Sequence, residues 1–220
     1  MSKSAKRKDK AGKEKVKAKG KAASTGRLVA LDGMKGRELE QGAERLVSLL
    51  SRAHGDAGWS RWDASNTFYE LRLGKAKRYA PPPRTLLLLY ASDLLFRLRW
   101  EIRPALAEGR TVVAAPYLET AIGFGVASGL ALDWLQELFS FAPKADASFR
   151  LKESKKLQEK AKRKKAANGF VEFCFNTLAA THPYWNLPEA YAGMRHYLDT
   201  LEEKEEIRRL RKKLPKALSQ

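Results

Sequence analysis

Residues 27–40 read RLVALDGMKGRELE. Leu28–Leu31 is a short apolar run closed by Asp32-Gly33. A run of that length bounded by a turn signal predicts a buried strand. From Glu38 to Ala53 the apolar residues fall at Leu39, Ala43, Leu46, Val47, Leu49 and Leu50, which is helical spacing. Strand, glycine turn and helix form the setting in which backbone N–H groups cradle phosphates. The pattern for such a loop is G-x-x-x-x-G-K-[ST], with the lysine reaching the β/γ-phosphates and the hydroxyl holding Mg²⁺. Gly33 occupies the first glycine position, but the last three positions are Glu38, Leu39 and Glu40. By pattern alone the loop fails at its essential positions.

Working outward, Thr85–Leu106 is too long and apolar for a strand and predicts a buried helix, with Pro104 marking a kink or boundary. Thr111–Ala115 reads as a second buried strand and Ala147–Leu151 as a third. Leu130–Phe141, Gly169–Ala180 and Leu187–Leu214 read as helical, the last two separated by a turn at Pro183. Strands alternating with helices predict an α/β fold with a parallel sheet. Thr111–Leu132 carries one charge, Glu119, and is long enough to span a bilayer. Pro116, Gly123, Gly125 and Gly129 interrupt it, so the expectation is strand, loop and helix, with no membrane contact.

Across 220 residues, 43 Lys and Arg stand against 25 Asp and Glu, a net charge of +18. So large an excess favours anionic partners and says nothing about fold. Residues 1–27 hold nine Lys and two Arg against Asp9 and Glu14. Almost nothing apolar lies among them, so residues 1–26 read as a disordered basic tail. The tail is either a polyanion-binding arm or a solvated, solubilising segment. Arg150–Lys165 is a second basic run, which reads as an exposed helix, and Lys204–Lys216 is a third. In the third, acids precede bases along one charged helix, 199–220, as its dipole favours. A single cysteine, Cys174, excludes an internal disulfide framework and suits a reducing, cytoplasmic setting. Scattered His54, His182 and His196 make no zinc pattern.

Over residues 27–198 the chain resembles the thymidylate kinase family. RLVALDGMKG (27–36) resembles the family's first strand and loop. LLLLYASDLLFRLRWEIRPAL (86–106) resembles its long apolar helix, AEGRTVVAAPY (107–117) its second buried strand, and GLALDWLQELFSF (129–141) the stretch that follows. The resemblance implies a P-loop NTPase-like three-layer α/β/α sandwich with a parallel sheet. It also implies phosphate transfer from ATP to thymidine monophosphate and pairing into a homodimer through helices. No late strand precedes the final charged helix, so the sheet is expected to lack its last strand. Lys152–Lys165 falls at about the place of the family's basic lid.

The departures fall where the family keeps its chemistry. Leu39 replaces the loop lysine, Glu40 the hydroxyl, Ala115-Pro116 an Asp-Arg pair and Leu94 an arginine. Phosphoryl transfer rests on positioning and on positive charge around the moving phosphate. Candidate nucleotide-binding residues remain. Gly33, Lys35, Gly36 and Arg37 lie in the loop. Arg97 follows Leu94 by one helical turn. By resemblance Tyr90 matches an aromatic that stacks on thymine, Asp93 the Asp of the same stretch, and Tyr117 the aromatic after Asp-Arg. The competing reading makes Tyr90 a core residue and Lys35, Arg37 and Arg97 surface charges. The leading expectation is a catalytically inactive thymidylate kinase-like binding or scaffold module without cofactor. Its basic segments, 1–26 and 150–165, would meet nucleic acid, another polyanion or an acidic protein. The alternative is a divergent nucleoside monophosphate kinase that uses ATP and Mg²⁺.

Overall fold

The computed structural model describes residues 26–73, 81–151, 169–181 and 185–201. The basic segments 1–25, 152–165 and 204–216 lie outside the described residues. Of the segment read as a tail, only Gly26 is described, and its N–H donates to the Leu106 carbonyl at 3.2 Å.

Four strands, β1 (Arg27–Asp32), β2 (Ala57–Arg61), β3 (Thr111–Ala115) and β4 (Ala147–Arg150), form one sheet. Their order is β2-β3-β1-β4 and every pairing is parallel. The β1–β3 register sets Leu28 against Val112 and Ala30 against Ala114. Both central strands are buried on both faces, which is why each reads as an unbroken apolar run. The sheet's two faces carry two cores. Leu28, Ala30, Val112 and Ala114 point into the larger. Val29, Leu31, Val113 and Ala115 point into the smaller, with Leu39 and Ala43. The result is the expected three-layer sandwich, with four strands among the described residues.

Helix α1 (Gly36–His54) covers the smaller core and ends at Gly55, whose φ of 92° favours glycine. On the other face lie α2 (Thr67–Leu73), α3 (Pro83–Arg97), α5 (Leu118–Ala127), α6 (Leu132–Leu138) and α7 (Phe170–Thr181). A helix over 187–201, α8, adds Met194 and Leu198 to the same core. Phe170 anchors this side, with Tyr90 at 4.5 Å and Phe68 at 5.7 Å between ring centroids.

Pro104 lies at a boundary, as expected, and two other expectations change in detail. Helix α3 runs into a π-helical turn, Leu98–Ile102, and Pro104 then sits in the first turn of α4 (Arg103–Ala107). Pro104 has no N–H to give to the preceding turn, and the helix changes from π to α just before it. The helix expected over Leu130–Phe141 is shorter, Leu132–Leu138. Ala147–Arg150 is fourth in chain order, because Ala57–Arg61 is also a strand. Thr111–Leu132 divides into β3, a loop and α5, and no described helix is long and apolar enough to cross a membrane.

Candidate functional site

The loop after β1 is tied from behind by Asp32 and Thr120. Asp32 is buried at the end of β1. Its Oδ1 accepts from Tyr117 N–H at 2.9 Å, Thr120 N–H at 3.0 Å and the Thr120 hydroxyl at 2.7 Å. Thr120 Oγ1 in turn accepts Gly33 N–H at 3.1 Å. Burial, with a smaller contribution from the Glu119 charge, pushes the Asp32 carboxyl up to about 6. Glu119 is itself paired with Arg150, whose Nη2 lies 2.8 Å from Oε1 and whose Nε meets Oε2.

The other side of the loop meets α7 and α8. Lys35 has extended backbone just ahead of α1, and its ammonium lies 4.3 Å over the Tyr191 ring. Gly36 N–H donates to both oxygens of Glu172, at 2.9 and 3.1 Å. A carboxylate there meets the positive end of the α1 dipole. This is also the end of a helix that takes phosphate in phosphate-binding loops. Gly169 makes the close approach possible, since a Cβ there would lie 2.5 Å from Gly36 Cα. Burial raises the Glu172 carboxyl, while Gly36 N–H and the Lys35 charge pull it back. Leu39, at the lysine position, is buried beneath α1 with Ala43. Glu38 and Glu40 are partly exposed, as is Arg37.

The candidates on α3 face inward. Tyr90 is fully buried, and its hydroxyl donates to the carbonyls of Tyr117 at 2.6 Å and Pro116 at 3.1 Å. Asp93 accepts Asp63 N–H, Ser65 N–H and the Ser65 hydroxyl at 2.9 to 3.0 Å. It thereby fixes the turn after β2, where Asp63 and Asn66 have φ near +60°. Arg97 corrects the expectation of a surface charge, for it is fully buried. Nε donates to Ser60 Oγ at 3.0 Å, Nη2 to the Ser60 carbonyl at 2.9 Å, and both terminal nitrogens to the Pro116 carbonyl at 3.1 Å. Tyr117 is also buried, and its hydroxyl donates to the Pro143 carbonyl at 2.6 Å.

Beside these residues, at the carboxyl end of β2, a cavity of about 740 Å³ opens. Trp59, Arg61, Trp62, Asp63, Tyr69 and Glu101 are among its lining, and Gly36 and Glu40 border it. Among the residues proposed from sequence, only Gly36 reaches this space. Glu172 and the β2 residues were missed. Glu172 had one signal, being the single charged residue of the otherwise apolar stretch Phe170–Thr181. Trp59 and Trp62 had none beyond their aromaticity.

A parallel sheet whose first strand ends in a glycine turn leading into a helix N-terminus is an arrangement that P-loop and dinucleotide-binding folds share. No family model matches the chain. Curated relatives do. It is 35% identical over 86 residues to a probable thymidylate kinase of Pyrococcus abyssi, covering 39% of this chain and 41% of that protein. It is 32% identical over 111 residues to one from Pyrococcus horikoshii, covering 49% and 53%. A probable thymidylate kinase 2 of Saccharolobus solfataricus is 27% identical over 143 residues, covering 63% and 67%. The chain thus spans about half the length of the first two relatives. A thymidylate kinase crystal structure from Ehrlichia chaffeensis shares the fold, with a TM-score of 0.51 at 14% identity, covering 80% of this chain and 98% of that one. The chain is thus similar in sequence, over part of its length, to probable thymidylate kinases, and it shares the fold of a thymidylate kinase structure.

Proposed function

We propose that this protein is a thymidylate kinase-like binding or scaffold module that does not transfer phosphate. The observation that carries the reading is Gly36, whose N–H is taken by both oxygens of Glu172. A phosphate arriving there meets a carboxylate already in place. At about 4 Å and an effective dielectric near 20, that repulsion is worth roughly 4 kcal/mol. The loop residues do not fit the Mg²⁺–ATP that the fold implies. Leu39 is buried where the lysine belongs, and Glu40 stands in place of the hydroxyl. Lys35 lies over Tyr191, and Arg97 donates to Ser60 and Pro116.

The test is turnover by the full-length protein. With Mg²⁺–ATP and thymidine monophosphate, ADP formation is expected at the level of an enzyme-free control. Robust, metal-dependent turnover overturns the reading. It would favour a divergent nucleoside monophosphate kinase, which the names of the curated relatives fit. In that case Lys35→Ala should abolish turnover.

The partners we propose for the module are drawn from its charge. Residues 1–26 and 150–165 are the basic segments offered to a polyanion or acidic protein; Arg150 is committed to Glu119. If about six phosphate contacts form, log affinity for duplex DNA falls with log salt at a slope near −5. Pairing into a homodimer has a surface in Leu88, Leu95, Phe96 and Trp100, all exposed along α3 and the π turn. Sedimentation of Trp100→Glu at monomer mass, with the parent at dimer mass, would support it.

A further inference from the structure

We infer that the cavity at the end of β2 is a site for an alkylammonium cation, such as a lysine-type or methylated amine, and not for a nucleoside monophosphate. The inference goes beyond the reading above and does not depend on whether transfer has been lost. Three aromatic side chains, Trp59, Trp62 and Tyr69, line the space together with three carboxylates, Glu40, Asp63 and Glu101. The cation in the lining is Arg61. Even with buried Arg97 counted behind the wall, acids outnumber bases by three to two. A monophosphate would bring about two negative charges to that lining at neutral pH. An ammonium is attracted both by the carboxylates and by the negative faces of the rings.

The wall is built and held. Glu101 Oε2 accepts the Ser60 hydroxyl at 2.6 Å, and Ser60 Oγ accepts Arg97 Nε at 3.0 Å, so a buried guanidinium sets the glutamate. Asp63 Oδ1 accepts Phe68 N–H at 2.7 Å, and its backbone is held at a φ of 61° by Asp93. Trp62 packs against Phe68, Phe170 and Phe173, with centroids 5.1 to 6.2 Å apart, and so is anchored in the core. The wall also seats a cation of its own, since Arg61 Cζ lies 5.1 Å over the Trp59 ring. Aromatic side chains and fixed carboxylates lining one space are an ordinary means of holding an alkylammonium.

The test is titration of the full-length protein with trimethyllysine amide, lysine amide, tetramethylammonium and thymidine monophosphate. It is followed by tryptophan fluorescence and calorimetry at low salt. Saturable binding of the amines is expected, with none of thymidine monophosphate. Tyr69→Ala and Glu101→Gln should each weaken amine binding about tenfold or more. Tyr69 is half exposed, so its truncation spares the fold if Glu101→Gln does not. Three results overturn the inference: no amine binding at millimolar concentration, amine binding unchanged in Tyr69→Ala, or thymidine monophosphate saturating this cavity. Failure here with no kinase turnover leaves the module reading standing, whereas turnover removes that reading by itself.

Discussion

The loop after β1 and the cavity beside β2 lie at the same carboxyl end of one sheet, and they are furnished in opposite ways. At the loop, Gly33 N–H meets Thr120, Gly36 N–H meets Glu172, and Asp32 holds three donors. Beside β2, rings and carboxylates surround about 740 Å³ of space. Ligands of open α/β sheets bind in crevices at this end. The contrast is between two loop N–H groups, of Gly33 and Gly36, that are taken up by internal hydrogen bonds and a neighbouring crevice that keeps room for a ligand. Substitutions around the loop should therefore change stability, and those around the cavity should change binding.

The largest expected effect is at the strut behind the cavity. Arg97→Ala removes a buried guanidinium and leaves the Ser60 and Pro116 carbonyls without those donors. Hydrogen bonds to a charged group contribute about 1.5–3 kcal/mol each, and the stranded carbonyls add to the cost. A loss of roughly 3–5 kcal/mol in denaturant unfolding is expected. Arg97→Lys should recover little, since an ammonium cannot reproduce the planar fork. A loss below about 1 kcal/mol would make Arg97 a dispensable group, and the line between strut and site would dissolve.

The next effect is a pH dependence. The Asp32 carboxyl ordinarily titrates at 3.8 and is raised to about 6 by burial. The native state therefore holds its proton where the unfolded chain has released it. The stability that this proton confers is full below about pH 4 and is lost as pH rises through about 6. A shift of that size corresponds to roughly 3 kcal/mol. Asp32→Asn should flatten the decline in unfolding free energy between about pH 4 and 7. Glu172, also raised, gives the same sign, so some slope should remain. An unchanged slope in Asp32→Asn would mean that Asp32 does not carry its proton into this range.

The parts of this arrangement that were legible in the sequence are those set by local pattern. Leu28–Leu31 and Thr111–Ala115 are apolar without interruption because both their faces are covered. The heptad-like spacing from Leu39 to Leu50 follows from one face of α1 lying on the sheet. That Leu39 stands where the phosphate-loop pattern has a lysine could be read by position alone. Strand β2 could not, because Ala57–Arg61 contains Gly58, Ser60 and Arg61, and Ser60 is buried only through its bonds to Arg97 and Glu101. Arginine is rarely fully buried, and neither reading of Arg97, as a phosphate contact or as a surface charge, foresees a guanidinium spent on Ser60 and Pro116. Asp32 looked like a turn marker, although its three donors come from residues more than eighty positions away. Glu172 reaches Gly36 across 136 positions, and no local signal specifies such a pairing.

That pairing supplies the smallest effect and the most direct test of the contrast. Glu172→Ala frees one helix-terminal donor and removes a charge favourable to the α1 dipole, together worth about 1 kcal/mol, as for other caps. Glu172→Gln keeps an acceptor oxygen and should lose less. The sharper measurement adds pyrophosphate during thermal unfolding. The parent protein should not respond, because its loop donor already has a carboxylate. Glu172→Ala should gain stability with pyrophosphate, because an open helix N-terminus in a glycine loop accepts an anion. If the parent responds as strongly as the variant, the carboxylate yields to phosphate. The loop would then be as open as the cavity, and the two regions would differ only in the ligands they take.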